Sequence, residues 1–312
     1  MIEVDQETWR AAYERWLRDW YGACSTVGEW VDHFVRLRLG RWDEATDKHV
    51  FEVDGGLTAL MVIGPPATVQ LIECPSETAL DEVIAWAASR ADRLAVTLRP
   101  GAPSFFESLP LRATGMLKPL RETPAVEGVV EGVVDGVTAR GMTEEEYVPW
   151  LDAQIDDYVL EMTDSGLFPR EQAIERARTQ FDQALPDGVH TAGQSFLRLE
   201  VAGEVVGTNW VTHGYEPGTS WVQGVEIGSE HRGKGYGRAA MLIGEAASIA
   251  AGDAQIGLNV FGHNEIAMHL YESLGYRPVE VFRSIELQDA SGGVPPGDQR
   301  RGQQDDPDGG SA

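Results

Sequence analysis

The chain has 312 residues, 50 of them acidic against 25 basic, for a formal net charge of −25. Such a surface repels phosphate backbones and anionic membranes, which argues against nucleic-acid and membrane-surface partners. It favours cationic small molecules or peptides, beside the plainer role of keeping the chain soluble.

A hydrophobic share of 42% supports a packed core, in one large domain or two, and no run approaches the roughly 20 apolar residues of a membrane helix. Cys24 and Cys74 have neither metal-ligand spacing nor a disulfide framework, and the seven histidines are scattered, so no metal site is expected. No leader-like segment is apparent, which predicts a cytoplasmic protein, monomeric or homodimeric.

In chain order, Trp9, Tyr13, Trp16, Leu17, Trp20 and Tyr21 recur at helical spacing within residues 8–38, and a second run follows from Trp30 to Leu39. "HVFEVDG", "LTALMVIG" and "TVQLIEC" read as strands separated by turns. Ser76 opens a helix, "RLAVTL" is a strand, "PSFFESLP" a helical turn or two, and "RATGMLKPL" a further strand. Residues 123–136 are rich in Val, Gly and acid and read as a linker between a first domain, 1–122, and a second, 137–287.

The second domain opens with the strand "VTARGMT" and a helix capped by Thr143, then a second helix ending near Leu185. A hairpin turning at Ala202–Gly203 follows, then the strand "SWVQGVEI", a helix to Gly252, the strand "AQIGLNVF", a helix stopped by Gly275, and a last strand. Residues 288–312 carry no core residues and are expected to be disordered.

Between a strand and a helix stands Arg232-Gly233-Lys234-Gly235-Tyr236-Gly237. A helix N-terminus exposes unpaired N–H groups and a partial positive charge, so glycines there let amides close around phosphate oxygens, with Arg232 and Lys234 adding donors. The spacing fits neither a P-loop nor the dinucleotide fingerprint. About 30 residues on comes "N-x-x-A-x-x-L-Y-x-x-L-G-Y", carried by Asn264, Ala267, Leu270, Tyr271, Leu274, Gly275 and Tyr276.

Together these two motifs resemble those of the GNAT superfamily of acyl-CoA-dependent N-acyltransferases, over residues 137–287. The resemblance implies an α/β (α+β) GNAT fold, a mixed central sheet flanked by helices. It implies acetyl-CoA as co-substrate, its pyrophosphate on Arg232, Gly233, Lys234, Gly235, Tyr236 and Gly237. Pantetheine would pair with backbone near Ile227, in a cleft where residues 225–227 splay from the strand 256–261. Asn264 would contact CoA, and Tyr271 would be the acid that protonates the departing thiolate.

Some relatives place a glutamate base on the strand where this chain has Asn259, so Glu226 is the candidate base, with His213 and His263 behind it. The other readings are a core tyrosine at Tyr271 and a solvent-facing Glu226. Residues 144–187 hold twelve acids against Arg170, Arg176 and Arg178, which suits a cationic primary amine as acceptor, a small molecule or peptide; solvated helix faces are the alternative.

Residues 50–120 repeat the order of the second half, with Phe106 where Tyr271 stands and "ECPSETALDE" where the glycine loop belongs. This predicts two tandem domains, the first a degenerate GNAT-like copy, the second an N-acetyltransferase. An unrelated first domain stays open, as does an acyl-CoA-binding regulatory protein without transferase activity.

Overall fold

The computed structural model describes residues 2–3, 5–64, 67–120, 136–164, 170–262 and 264–287. The expected linker, apart from Gly136, the tail from 288 and His263 lie outside the described residues.

The first half runs β1 (Ile2–Glu3), α1 (Gln6–Cys24), α2 (Gly28–Glu44), β2 (Lys48–Val53), β3 (Gly56–Ile63), β4 (Thr68–Glu73), α3 (Glu77–Ala87), β5 (Arg93–Leu98), a 3-10 turn over Ser104–Ser108, and β6 (Leu111–Pro119). The second half runs β7 (Val137–Gly141), α4 (Glu144–Asp164), α5 (Arg170–Ala184), β8 (Gln194–Val201), β9 (Glu204–Glu216), β10 (Thr219–Ile227), α6 (Tyr236–Ala251), β11 (Gln255–Phe261), α7 (Glu265–Ser273) and β12 (Arg277–Glu286). The order of strands and helices is nearly the same twice over.

Local chemistry sets the boundaries. Ser76 caps α3 by accepting from the Ala79 amide at 3.2 Å. Thr143 and Glu146 form a reciprocal capping box, with Thr143 N donating to Glu146 Oε2 at 2.9 Å and Glu146 N to Thr143 Oγ1 at 3.3 Å. The hairpin between β8 and β9 turns on Ala202 and Gly203, both at positive φ (52° and 85°), as a tight two-residue turn requires.

All twelve strands form one sheet in the order β1-β2-β3-β4-β5-β12-β6-β11-β10-β9-β8-β7. Adding six to each label of the first half reproduces the second half read from the opposite edge, so the sheet has an internal pseudo-two-fold through its centre. The halves exchange their last strands: β12 pairs with β5 and β6, and β6 pairs with β11. Among the described residues, only β4–β5 and β10–β11 are parallel.

Adjacent residues face opposite ways. On β6, Leu117 packs with α1 and α2 while Met116 packs with α6 and α7; on β9, Trp210 packs with α4 while Val211 packs with α6. The register Leu117↔Gly257↔Trp221↔Thr212 carries one face across the centre. Helices α1, α2, α4 and α5 therefore cover one face, and α3, α6 and α7 the other. Burial of Trp9, Tyr13, Trp20, Tyr21, Trp30 and Trp42 under α1 and α2 is the largest aromatic contribution to the core.

Polar contacts also cross between the halves. Trp20 Nε1 donates to the Val279 carbonyl at 2.9 Å, Tyr21 Oη donates to Glu280 at 2.6 Å, and Arg38 pairs with Glu280. Lys118 on β6 pairs with Glu245 on α6 at 2.5 Å. At the end of β9, Glu216 accepts from Trp30 Nε1 at 2.7 Å, and burial pushes its carboxyl up to about 7. A carboxyl raised in the folded state favours folding while protonated and loses that advantage as pH rises from about 4.5 through 7. Glu216→Gln keeps an acceptor for Trp30 and removes the titration: thermal unfolding should show it more stable than the parent at pH 8, on the order of 2 kcal/mol, with the difference vanishing below about pH 4.

Candidate active site

The parallel ladder between β10 and β11 runs only from Thr219↔Gln255 to Val222↔Leu258. Beyond it each strand keeps its outer partner, β9 for residues 224–227 and β6 for 259–261, so their facing edges part. A bulge starts the divergence: Val222 pairs with Val211 and Gly224 with Trp210, leaving Gln223 as the extra residue. Backbone N–H and C=O groups along the opened edges need partners, which an extended amide-bearing ligand supplies as an added strand does. Ile227 ends the β10 side of this cleft, and Asn259 stands on the β11 side.

After Ile227 the chain makes a 3-10 turn over Ser229–His231 and enters the glycine loop. Gly233 and Gly235 have φ of 75° and 84°, and Gly235 is the N-cap of α6, with no side-chain cap and no acid in the first turn. The first helical bond is Ala239 N to Gly235 O at 3.1 Å, so the preceding amides have no helical acceptor. Arg232, Gly233, Lys234 and Gly235 are exposed, Tyr236 and Gly237 half-buried. Open amides, a helix N-terminus and two cations fit a phosphate group.

Helix α7 packs beside this loop. A methyl group on Gly237 would lie 3.4 Å from Leu270, and Arg238 donates to Ser273 Oγ at 2.8 Å. Asn264 caps α7, its Oδ1 accepting from Ala267 N at 3.1 Å. Tyr271 packs against Tyr276 at 5.9 Å between centroids, and burial raises its phenol above the ordinary value, which keeps the proton on oxygen at neutral pH.

Glu226 lies on the sheet face that α4 covers. Its Oε1 accepts from Gln154 Nε2 of α4 at 2.8 Å, and its side chain is exposed. Gly207 makes this edge possible, because a Cβ there would stand 2.4 Å from the Glu226 carbonyl oxygen. Gln154 was not singled out in the sequence, although a signal exists: it is the polar residue on the α4 stripe formed by Tyr147, Trp150, Leu151 and Tyr158.

His213 is placed elsewhere. Its ring bonds Ser195 Oγ at 2.7 Å and Ser220 Oγ at 2.9 Å, Ser220 donates to Asp253 at 2.6 Å, and burial lowers the imidazole pKa. This clasp holds the end of α6 on the face opposite Glu226. Of the acids along 144–187, Glu146 is held by Arg140, whose hydrogen bond takes its carboxyl down to about 2, and Glu144 contacts His190 at 3.0 Å. Asp152, Asp156 and Asp157 are exposed on α4, and the side chains of Glu161 and Asp164 lie outside the described residues.

Residues 153–276 match the model of the acetyltransferase (GNAT) family. The chain is 24% identical over 153 residues to the uncharacterized N-acetyltransferase YdgE of Bacillus subtilis, covering 48% of this chain and 98% of that protein. It is 27% identical over 149 residues to the uncharacterized N-acetyltransferase YycN of the same organism, covering 47% and 96%. Among solved structures, a GCN5-related N-acetyltransferase from Sphaerobacter thermophilus is similar at 16% identity and a TM-score of 0.47, over 81% of this chain and 85% of that one.

The loop geometry yields a direct test. Gly235→Ala forces a side chain into left-handed backbone at a cost of about 1 kcal/mol and turns the loop amides out of line. Isothermal titration with CoA should show affinity reduced about tenfold, with melting lowered by a few degrees.

Proposed function

We propose, on the premise that residues 153–276 form a domain of the acetyltransferase (GNAT) family and that the chain is an acyltransferase, that it moves an acetyl group from acetyl-CoA to a primary amine of a small cationic molecule or peptide. The observation that carries this reading is the juxtaposition of the parted β10 and β11 edges with the uncapped, glycine-lined start of α6. Pantetheine lies along the opened edge near Ile227, and the pyrophosphate rests on the amides of Arg232 to Gly237, with Arg232 and Lys234 neutralising its charge. Asn264, fixed as the cap of α7, stands at the rim.

In this reading the amine is deprotonated by Glu226, directly or through water, with Gln154 holding the carboxylate in position. The nitrogen attacks the thioester carbonyl, the C–N bond forms, and the C–S bond breaks. Tyr271 gives its phenolic proton to the leaving thiolate and is restored from solvent. The exposed acids of α4 draw an ammonium toward the cleft, which leaves Glu226 to take the proton. The protein acts in the cytoplasm in this proposal, where its two thiols stay reduced.

The first half is proposed to be a degenerate copy of the second. Its β4 and β5 pair in parallel from Thr68↔Arg93 to Leu71↔Val96 and then part. A bulge sits at the same point, since Ala59 pairs with Glu73 and Leu60 with Leu71, leaving Ile72 extra. Beyond it stands Glu73 and the Ser76-capped start of α3 with Glu77, an arrangement that repels phosphate.

Release of CoA thiol from acetyl-CoA, measured across polyamines, aminoglycosides, amino acids and peptide N-termini, tests the reaction. Tyr271→Phe should lower turnover on the order of 100-fold while CoA affinity stays within about twofold, and Glu226→Gln should lower kcat/KM by a similar factor. Wild-type turnover in Tyr271→Phe removes that residue from the mechanism. Acetyl-CoA binding with no acceptor reacting across the panel would overturn the amine acceptor.

A further inference from the structure

The first half has no glycine loop, yet the place where its parallel strands part is hollow. A cavity of about 320 Å³ opens beside the end of β4 and the end of β5, under α1. Its walls are Trp9, Tyr13 and Trp16 from α1, Ile72 of the bulge, and Phe106 from the 3-10 turn. The volume lies at the lower end of the range for small-molecule sites, and the predominantly apolar lining, with four aromatic rings in it, matches their usual character.

Two opposite charges stand on the lining. Glu73 ends β4, lines the cavity, and its Oε2 accepts from Trp9 Nε1 at 2.9 Å, which fixes the carboxylate in place. Arg99 follows β5, is exposed, and has no carboxylate within ion-pair distance among the described residues. The two residues come from diverging strands and do not pair with each other, so the gap between them accepts a solute that bears both charges.

We propose that this cavity binds a free apolar α-amino acid, its side chain among the aromatic rings, its ammonium on Glu73 and its carboxylate on Arg99. A zwitterion satisfies both groups at once, whereas a simple amine or acid leaves one charge unmatched. The cavity lies in the half without the glycine loop, so the inference is independent of the acyl transfer proposed above. It gives the worn half a binding task of its own.

The test uses the full chain. Titration calorimetry and thermal shift with L-phenylalanine and L-leucine should show saturable binding in the micromolar to low millimolar range, about −4 to −8 kcal/mol. Phenethylamine and 3-phenylpropionate, each lacking one charge, should bind at least about tenfold more weakly. Ala102→Phe, which fills the cavity from its lining, should abolish binding, and Arg99→Ala, a surface change that leaves the fold intact, should weaken it about tenfold. Acetyl-CoA affinity, measured on the same samples, should be unchanged in both variants, which separates this site from the cleft of the second half. Absence of saturable binding to the parent at about 10 mM amino acid would overturn the proposal. So would equal affinity for the one-charge analogues, or binding that survives in both Ala102→Phe and Arg99→Ala.

Discussion

The antiparallel pair β6–β12 at the middle of the sheet holds the rest of the molecule in place. Each strand belongs by sequence to one half and by hydrogen bonding to both. β12 bridges β5 and β6, while β6 bridges β12 and β11. The ladders fix the strands in register, and the polar contacts of Tyr21, Arg38, Trp20 and Lys118 fix the helices above and below them. Because Glu280 accepts from Tyr21 and pairs with Arg38, a buried carboxylate is matched at the seam, where removing Arg38 leaves an uncompensated charge. The two halves share one continuous hydrogen-bonded sheet.

From that centre outward, each half ends its parallel ladder after four residue pairs and parts at a bulge. A sheet that opens leaves backbone donors and acceptors without partners, and such groups must meet water or a ligand. In the second half the opening leads to uncapped amides and two cations; in the first it leads to a carboxylate, an arginine and aromatic rings. One backbone device therefore presents two different chemistries, decided by a handful of side chains at the strand ends.

Much of this was legible in the sequence. The strand and helix order, the Thr143 and Ser76 caps, the Ala202–Gly203 turn and the Gly252 and Gly275 stops rest on local preferences, and local preferences are what a sequence displays. The break between α1 and α2 at 25–27 is blurred in the apolar pattern, which runs on across it; Ser25 Oγ there accepts from Val27 N at 3.0 Å and donates to Gln255, 230 positions on, at 2.6 Å. Gln154 stands out locally only as a polar residue on an apolar stripe, and its partner Glu226 lies 72 positions on, so the pairing itself has no local sign. The exchange of β6 and β12 leaves no local trace, since an exchanged strand has the same composition as one that stays at home. The acids of residues 144–187 were visible as a run, but which of them neighbouring arginines occupy is decided by β7 and β8, through Arg140 and Arg198.

Strand exchange also orders events in time. A chain made from its N-terminus presents β5 with one side unpaired until residues near 280 have been synthesised, because its partner on that side is β12. Through most of translation the growing protein carries an exposed strand edge, the feature most prone to pair with a neighbouring chain. The nascent first half must be shielded or slow to collapse, and the acidic residues scattered along the chain keep such intermediates apart by mutual repulsion. The excess of negative charge on the finished surface thus also protects the molecule while it is being made.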